Sequence, residues 1–265
     1  MKRYFPTELA FQLFALLIAF IIVHAFYVAV IRPNANAFLT EQYARMKIDA
    51  DYVPQRSYYV VVRDYEQEAC FILMFWAFAI LAFKGRVTYR QQRQLGWDFI
   101  GLPENAQIKV ENASSISERI RQEVPIKMQQ YILPTILLCA IERYSTTRNI
   151  QDASMVVHDM CAYEAERSES ELSIIRYIAW AIPSIGFIGT VRGIGDALGK
   201  AHQAVSGDIT GVTQSLGVAF NSTLIALLIS IVLMFIIHQV QLMQERLVLD
   251  VERYCDNMFL RRLMG

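Results

Sequence analysis

The sequence predicts an all-α membrane protein: four transmembrane helices, a helical cytoplasmic domain between the second and third, and helices three and four extended into the cytoplasm. Three observations carry this reading. Hydrophobic residues make up 54% of the 265 and charged ones only 19%, below the roughly 25% charged residues usual in soluble domains. The apolar residues fall in blocks long enough to cross a bilayer, about 20 residues for a 30 Å core. Lysine and arginine are spread unequally over the connecting segments, as the positive-inside rule requires of a spanning chain. The formal charge is zero, so no basic field points to nucleic acid. Cys70, Cys139, Cys161 and Cys255 lie far apart and suggest neither a disulfide framework nor a zinc site.

Residues 1–8 form a cytoplasmic N-terminus containing Lys2 and Arg3. The first span, 9–31, has no Asp, Glu, Lys or Arg. Its length exceeds a signal-peptide core and no small-residue cleavage site follows, so it is read as a true span. An external segment, 32–68, contains SYYVVVRDY, a short strand or the lead-in to the second span. That span, 69–83, can begin earlier, near Glu66 or Glu68, and Lys84 can snorkel at its end. The cytoplasmic domain is 84–176. Here Ser115-x-x-Glu118 has capping-box spacing, Pro125 and Pro134 break helices, Asp152 caps a long helix, and Tyr131–Ile141 supplies core. The third span is 177–195, an outer loop covers 196–211, the fourth span is 212–240, and 241–265 continues as a cytoplasmic helix. Eighteen of the 25 Lys and Arg fall on the side holding both termini, with KGRVTYRQQR directly after the second span the sharpest cue.

The last two spans carry the chemistry. Pro183, Gly186, Thr190, Gly193 and Ala197 are spaced 3, 4, 3 and 4 and share one helical face, with Gly189 beside them. Span four has a matching stripe at Ala219, Thr223, Ala226 and Ser230, with Ser222 adjacent. Such stripes let helices approach closely in lipid. Thr190 lies 13 residues from Tyr177 and Thr223 lies 14 from Ile237, each about 20 Å of helix rise. The two hydroxyls therefore fall at one depth, in the outer half of the bilayer. Thr190, Thr223 and Ser222 are the candidate ion pathway; Pro183, Gly186, Gly189, Gly193, Ala219, Ala226 and Ser230 are the candidate packing surface for a partner helix. Arg192 and Asp196 have the spacing of an ion pair. His24 and His238, each toward a span end, are read as making interfacial or helix–helix hydrogen bonds. No Asp or Glu lies inside the apolar centres, so a proton-carrying acid has to come from another chain.

The run PSIGFIGTVRGI, followed by a short loop and LGVAFNSTLIALLISI, resembles the MotA/TolQ/ExbB family of ion-driven motor subunits over roughly residues 164–240. The resemblance implies a homo-oligomer, a pentamer, around a dimer of a single-span MotB/TolR/ExbD-like partner whose membrane aspartate carries H+ or Na+. It implies a place in the lipid bilayer of the bacterial inner membrane, no cofactor and no metal. By the same resemblance Thr190 and Thr223 fall on the third- and fourth-span threonines of the TolQ and ExbB branch, and Pro183 on the proline of the flagellar branch. Four spans are like the flagellar stators, whereas the Gly-Thr-Val motif is of the TolQ and ExbB type. Arg192 stands where the ExbB branch commonly has tryptophan. Two other readings remain open, a self-contained small-solute transporter and a non-conducting scaffold. No nucleophile–base arrangement suggests an enzyme, and Gly193-x-Gly195 lacks the strand and lysine of a nucleotide loop.

Overall fold

The computed structural model describes residues 7–48, 52, 55, 57–103, 106–126 and 128–263. Lys2, Arg3, Arg56 and Lys127, counted above in the charge balance, lie outside them. The described chain is helical, without strands; an isolated bridge joins Ile108 to Leu263. Four helices are long and apolar enough to cross a membrane, and the chain is an all-α, multi-pass membrane protein. By internal packing it forms two units, Met1–Ala82 with Ile174–Ile237, and Phe83–Ser173 with His238–Gly265.

In the first unit, α1 (Thr7–Phe26) runs through a π-helical turn, Tyr27–Ile31, into α2 (Arg32–Ile48). Pro33 explains the wide turn. It has no N–H for the carbonyl four residues back, and a π turn re-aims the chain where that bond is missing. The helical turn α3 (Tyr58–Val61) occupies the segment for which a short strand was one expectation. It leads into α4 (Tyr65–Gln94), which begins ahead of the apolar block and includes Glu66 and Glu68. Helix α8 (Ser173–Gly199), the short α9 (Ala201–Val205) and α10 (Thr210–Tyr254) complete the set. Asp208 accepts from the Thr210 amide at 2.9 Å, satisfying a free donor at the start of α10.

The second unit is built around α5 (Val110–Glu123), α6 (Ile132–Thr147) and α7 (Ile150–Glu171), closed by the end of α10 and a π turn at Cys255–Phe259. Ala113, Ile116 and Ile120 of α5, Ile136, Leu137 and Tyr144 of α6, and Val251 and Phe259 after them form one buried core. Three local expectations are corrected here. Ser115 lies inside α5, its hydroxyl donating to Asn112 O, and Lys109 holds the N-cap position. The apolar spacing that starts at Ala113 draws the helix back ahead of the capping-box pattern. Pro134 is the third residue of α6, where its missing N–H costs nothing because that donor has no intrahelical acceptor. The cap of α7 is Asn149, which accepts from Gln151 N at 2.9 Å, while Asp152 sits in the first turn. Lys84, at the end of the second apolar block, is buried, and its ammonium meets Glu171 at 2.6 Å.

Candidate functional site

Helices α8 and α10 come together through their smallest residues. A Cβ on Gly186 would lie 2.5 Å from that of Ala226; one on Gly189, 2.5 Å from Ser222; one on Gly193, 2.8 Å from both the Cβ and the backbone N of Ala219. Gly186, Gly189, Gly193, Ala219, Ala226 and Ser222 are all buried. Within the chain the two small-residue stripes, expected as a packing surface for a partner helix, face each other. Those residues are used inside the chain, because two backbones this close leave no room for any other occupant. Pro183, Thr190, Thr223 and Ser230 are half-buried, on the rim of the contact.

The two threonines meet, as their common depth predicts. Thr190 Oγ1 and Thr223 Oγ1 are hydrogen-bonded to each other. Thr190 also lies within donating distance of Ala219 O (3.1 Å) and Gly186 O (3.3 Å), and Thr223 within 3.1 Å of Gly186 O. Two hydroxyls carry only two protons, and three acceptor directions compete for them. When one hydroxyl donates to a carbonyl and the other to its neighbour, lone pairs on the pair stay free to accept. When both donate to carbonyls, the pair has two acceptors to offer. The unit can thus receive a hydrogen bond from a protonated acid, or turn a proton toward an ionised one, by rotating hydroxyls alone.

Pro183 sits in mid-helix and cannot donate to Ala179 O. Ser230 of α10 supplies that bond, its hydroxyl donating to Ala179 O at 3.3 Å. The pairing of Pro183 with Ser230 joins two residues that sequence spacing had placed on separate stripes. Beside them Trp180, Ser184 and Phe187 of α8 and Met234 of α10 line an open groove.

At the other side of the pair stands the first turn of α4, which sequence reasoning treated only as a helix start. Three consecutive side chains reach three different neighbours. Glu66 forms a two-point ion pair with Arg192 of α8, both contacts 2.8 Å. Gln67, fully buried, donates to Ser222 Oγ of α10 at 3.3 Å and to Val61 O at 3.2 Å. Glu68, also buried, meets His24 Nδ1 of α1 at 2.6 Å and the Arg32 guanidinium of α2. Arg32 lies 4.3 Å over the Tyr65 ring. The expected Arg192–Asp196 pair is replaced by Arg192–Glu66, since α4 delivers a carboxylate held at both oxygens while Asp196 is exposed. His24 takes the helix–helix role expected of it. Asp64, just ahead of α4, has its carboxyl pushed above the ordinary carboxylate range by burial, with Arg63 and Arg192 opposing.

Residues 129–253 match the MotA/TolQ/ExbB proton channel family. The match takes in α6, α7, α8 and nearly all of α10, and so both threonines. Among curated proteins and among solved structures, nothing matches the chain.

Proposed function

We propose that this chain, whose residues 129–253 match the MotA/TolQ/ExbB proton channel family, is the A-type subunit of an inner-membrane ion-driven motor. Five copies surround a dimer of a single-span partner, both termini are cytoplasmic, and ion flow turns the partner. The Lys and Arg asymmetry supports the orientation. The observation that carries the reading is the Thr190–Thr223 hydroxyl pair on the half-buried rim of α8 and α10.

The physical case starts from the cost of a charged carboxylate among apolar helices, several kcal/mol when it is unpaired. A partner aspartate that passes along the rim meets hydroxyls which accept from its protonated form and donate to its ionised form. Ser222 lies behind the pair as a third hydroxyl. Because the glycines and alanines are consumed within the chain, the partner's surface is the rim itself: Pro183 and Ser230 with Trp180, Phe187 and Met234. An aromatic and thioether lining packs a rotating helix by dispersion without hydrogen bonds that would have to break at each step.

The test is Thr190→Val, which keeps the shape and removes the hydroxyl. Reconstituted with its partner in proteoliposomes, the variant is expected to lose ion flux at least tenfold while native mass still shows five copies around two. Full flux from the assembled variant removes Thr190 from the mechanism, and a monomeric wild-type mass removes the motor reading.

A further inference from the structure

The geometry points to a hydrated proton inlet at the first turn of α4, with Gln67 as the residue that positions its innermost water beside Ser222 and the threonine pair. This inference rests on the reading that Thr190 and Thr223 handle the ion.

Three polar atoms around this turn are buried and unpartnered: the Tyr27 hydroxyl, Asp64 Oδ2 and Gln67 Oε1. Tyr27 is 3% exposed and Gln67 fully buried. Buried polar atoms in native proteins find a partner, and where no protein group reaches them an ordered water does. Asp64, Glu66, Gln67 and Glu68 all belong to one turn of chain, and Tyr27 stands in the π turn of the neighbouring span, where Arg32 lies 5.8 Å over its ring. Gln67 is oriented without ambiguity. Its Nε2 is held between Val61 O and Ser222 Oγ, which leaves Oε1 as the acceptor for a water. Ser222 in turn donates to Val218 O at 2.9 Å and directly precedes Thr223. A water on Gln67 Oε1 is joined through the Gln67 amide to Ser222, the residue that precedes Thr223 in α10.

The charges select the ion. Each carboxylate of the turn has a cationic neighbour: Arg63 for Asp64 at 3.7 Å, Arg192 for Glu66, and Arg32 with His24 for Glu68. With these carboxylates paired, the described residues of the turn offer a sodium ion only neutral oxygens, which favours the proton. A proton passes from water to water and leaves the carboxylates paired.

The experiment compares Gln67→Leu, Tyr27→Phe and Thr190→Val in the full chain with its partner, reading proton flux in sodium-free proteoliposomes and native mass in parallel. Gln67→Leu is expected to lower flux at least tenfold with the oligomer intact, and Gln67→Asn, which keeps an amide donor and acceptor, to retain more flux than Gln67→Leu. Tyr27→Phe, which removes one oxygen from an unchanged ring, is expected to lower flux about threefold and serves if Gln67→Leu does not assemble. A high-resolution map with a water on Gln67 Oε1 supports the inlet. Should Thr190→Val block flux while Gln67→Leu and Tyr27→Phe conduct like the wild type, the inlet is wrong and the seam stands. If Thr190→Val conducts as well, the seam reading falls first. Flux that appears only when sodium is added overturns the ion assignment.

Discussion

The two units of this chain solve packing in opposite ways. In the membrane unit many large apolar residues point outward, such as Phe14, 69% exposed, and Ile22, 63%, although Ile80, Ile182 and Leu233 are buried. Its buried positions include small or polar residues such as Ala35, Ala77, Gln67, Ala219 and Ser222. In the second unit Ile136, Leu137 and Tyr144 are fully buried, and Arg119–Glu123 and Arg253–Asp250 pair on its exterior. The difference is the solvent. Water drives apolar surface inward at about 25 cal/mol per Å². Lipid gives no such return, so helices there associate through close backbone approach and interhelical hydrogen bonds.

That contrast can be broken in three places. The largest effect is expected from Gly193→Val. Its branched side chain would press on the backbone N of Ala219 and on Ser215 O, each 2.8 Å from the Cβ position, neither of which can yield. Loss of the folded, detergent-soluble protein in size-exclusion chromatography is expected, whereas Gly195→Val, with nothing within 4 Å, leaves the profile unchanged. Next comes a matched pair. Leu137→Ala, in the fully buried core, should destabilise the second unit by about 2–5 kcal/mol. Leu17→Ala, 56% exposed on α1, should change stability by less than about 0.5 kcal/mol. Denaturant titration of each variant decides it, and equal losses would erase the distinction between the units. The smallest effect concerns pH. Burial raises the Asp64 carboxyl, so its contribution to stability is complete below the ordinary carboxylate range and is lost as pH climbs through the raised value. Asp64→Asn should flatten the dependence of the thermal midpoint over that window. An unchanged slope would show that the carboxyl does not titrate there.

Features set by local spacing were legible in the sequence. The four spans, the two small-residue stripes and the common depth of Thr190 and Thr223 all follow from counting residues along single helices. What escaped depends on which helix stands opposite. Spacing along α8 offers Asp196 to Arg192, and only the position of α4 shows that Glu66 takes it. Pro183 signals a missing donor, but nothing in its neighbourhood names Ser230, 47 residues on, as the group that replaces it. The two stripes were each visible as surfaces for close approach; that they close on one another is a fact of pairing. The cluster Glu66–Gln67–Glu68 had a signal that went unused, for a run of three polar residues at the mouth of a span is costly unless each finds a partner.

Leu9–Met46 is helical through 38 residues, with the π turn at Tyr27–Ile31 between α1 and α2. Its apolar stretch ends near Ile31, and the remaining 15 residues, at 1.5 Å each, carry α2 about 22 Å further. A tether leaving the bilayer beside this post must spend about six extended residues, at roughly 3.5 Å each, before it clears the top. On the proposed motor reading, with α2 on the outer face, that length is the shortest leash for an outer domain carried by the partner.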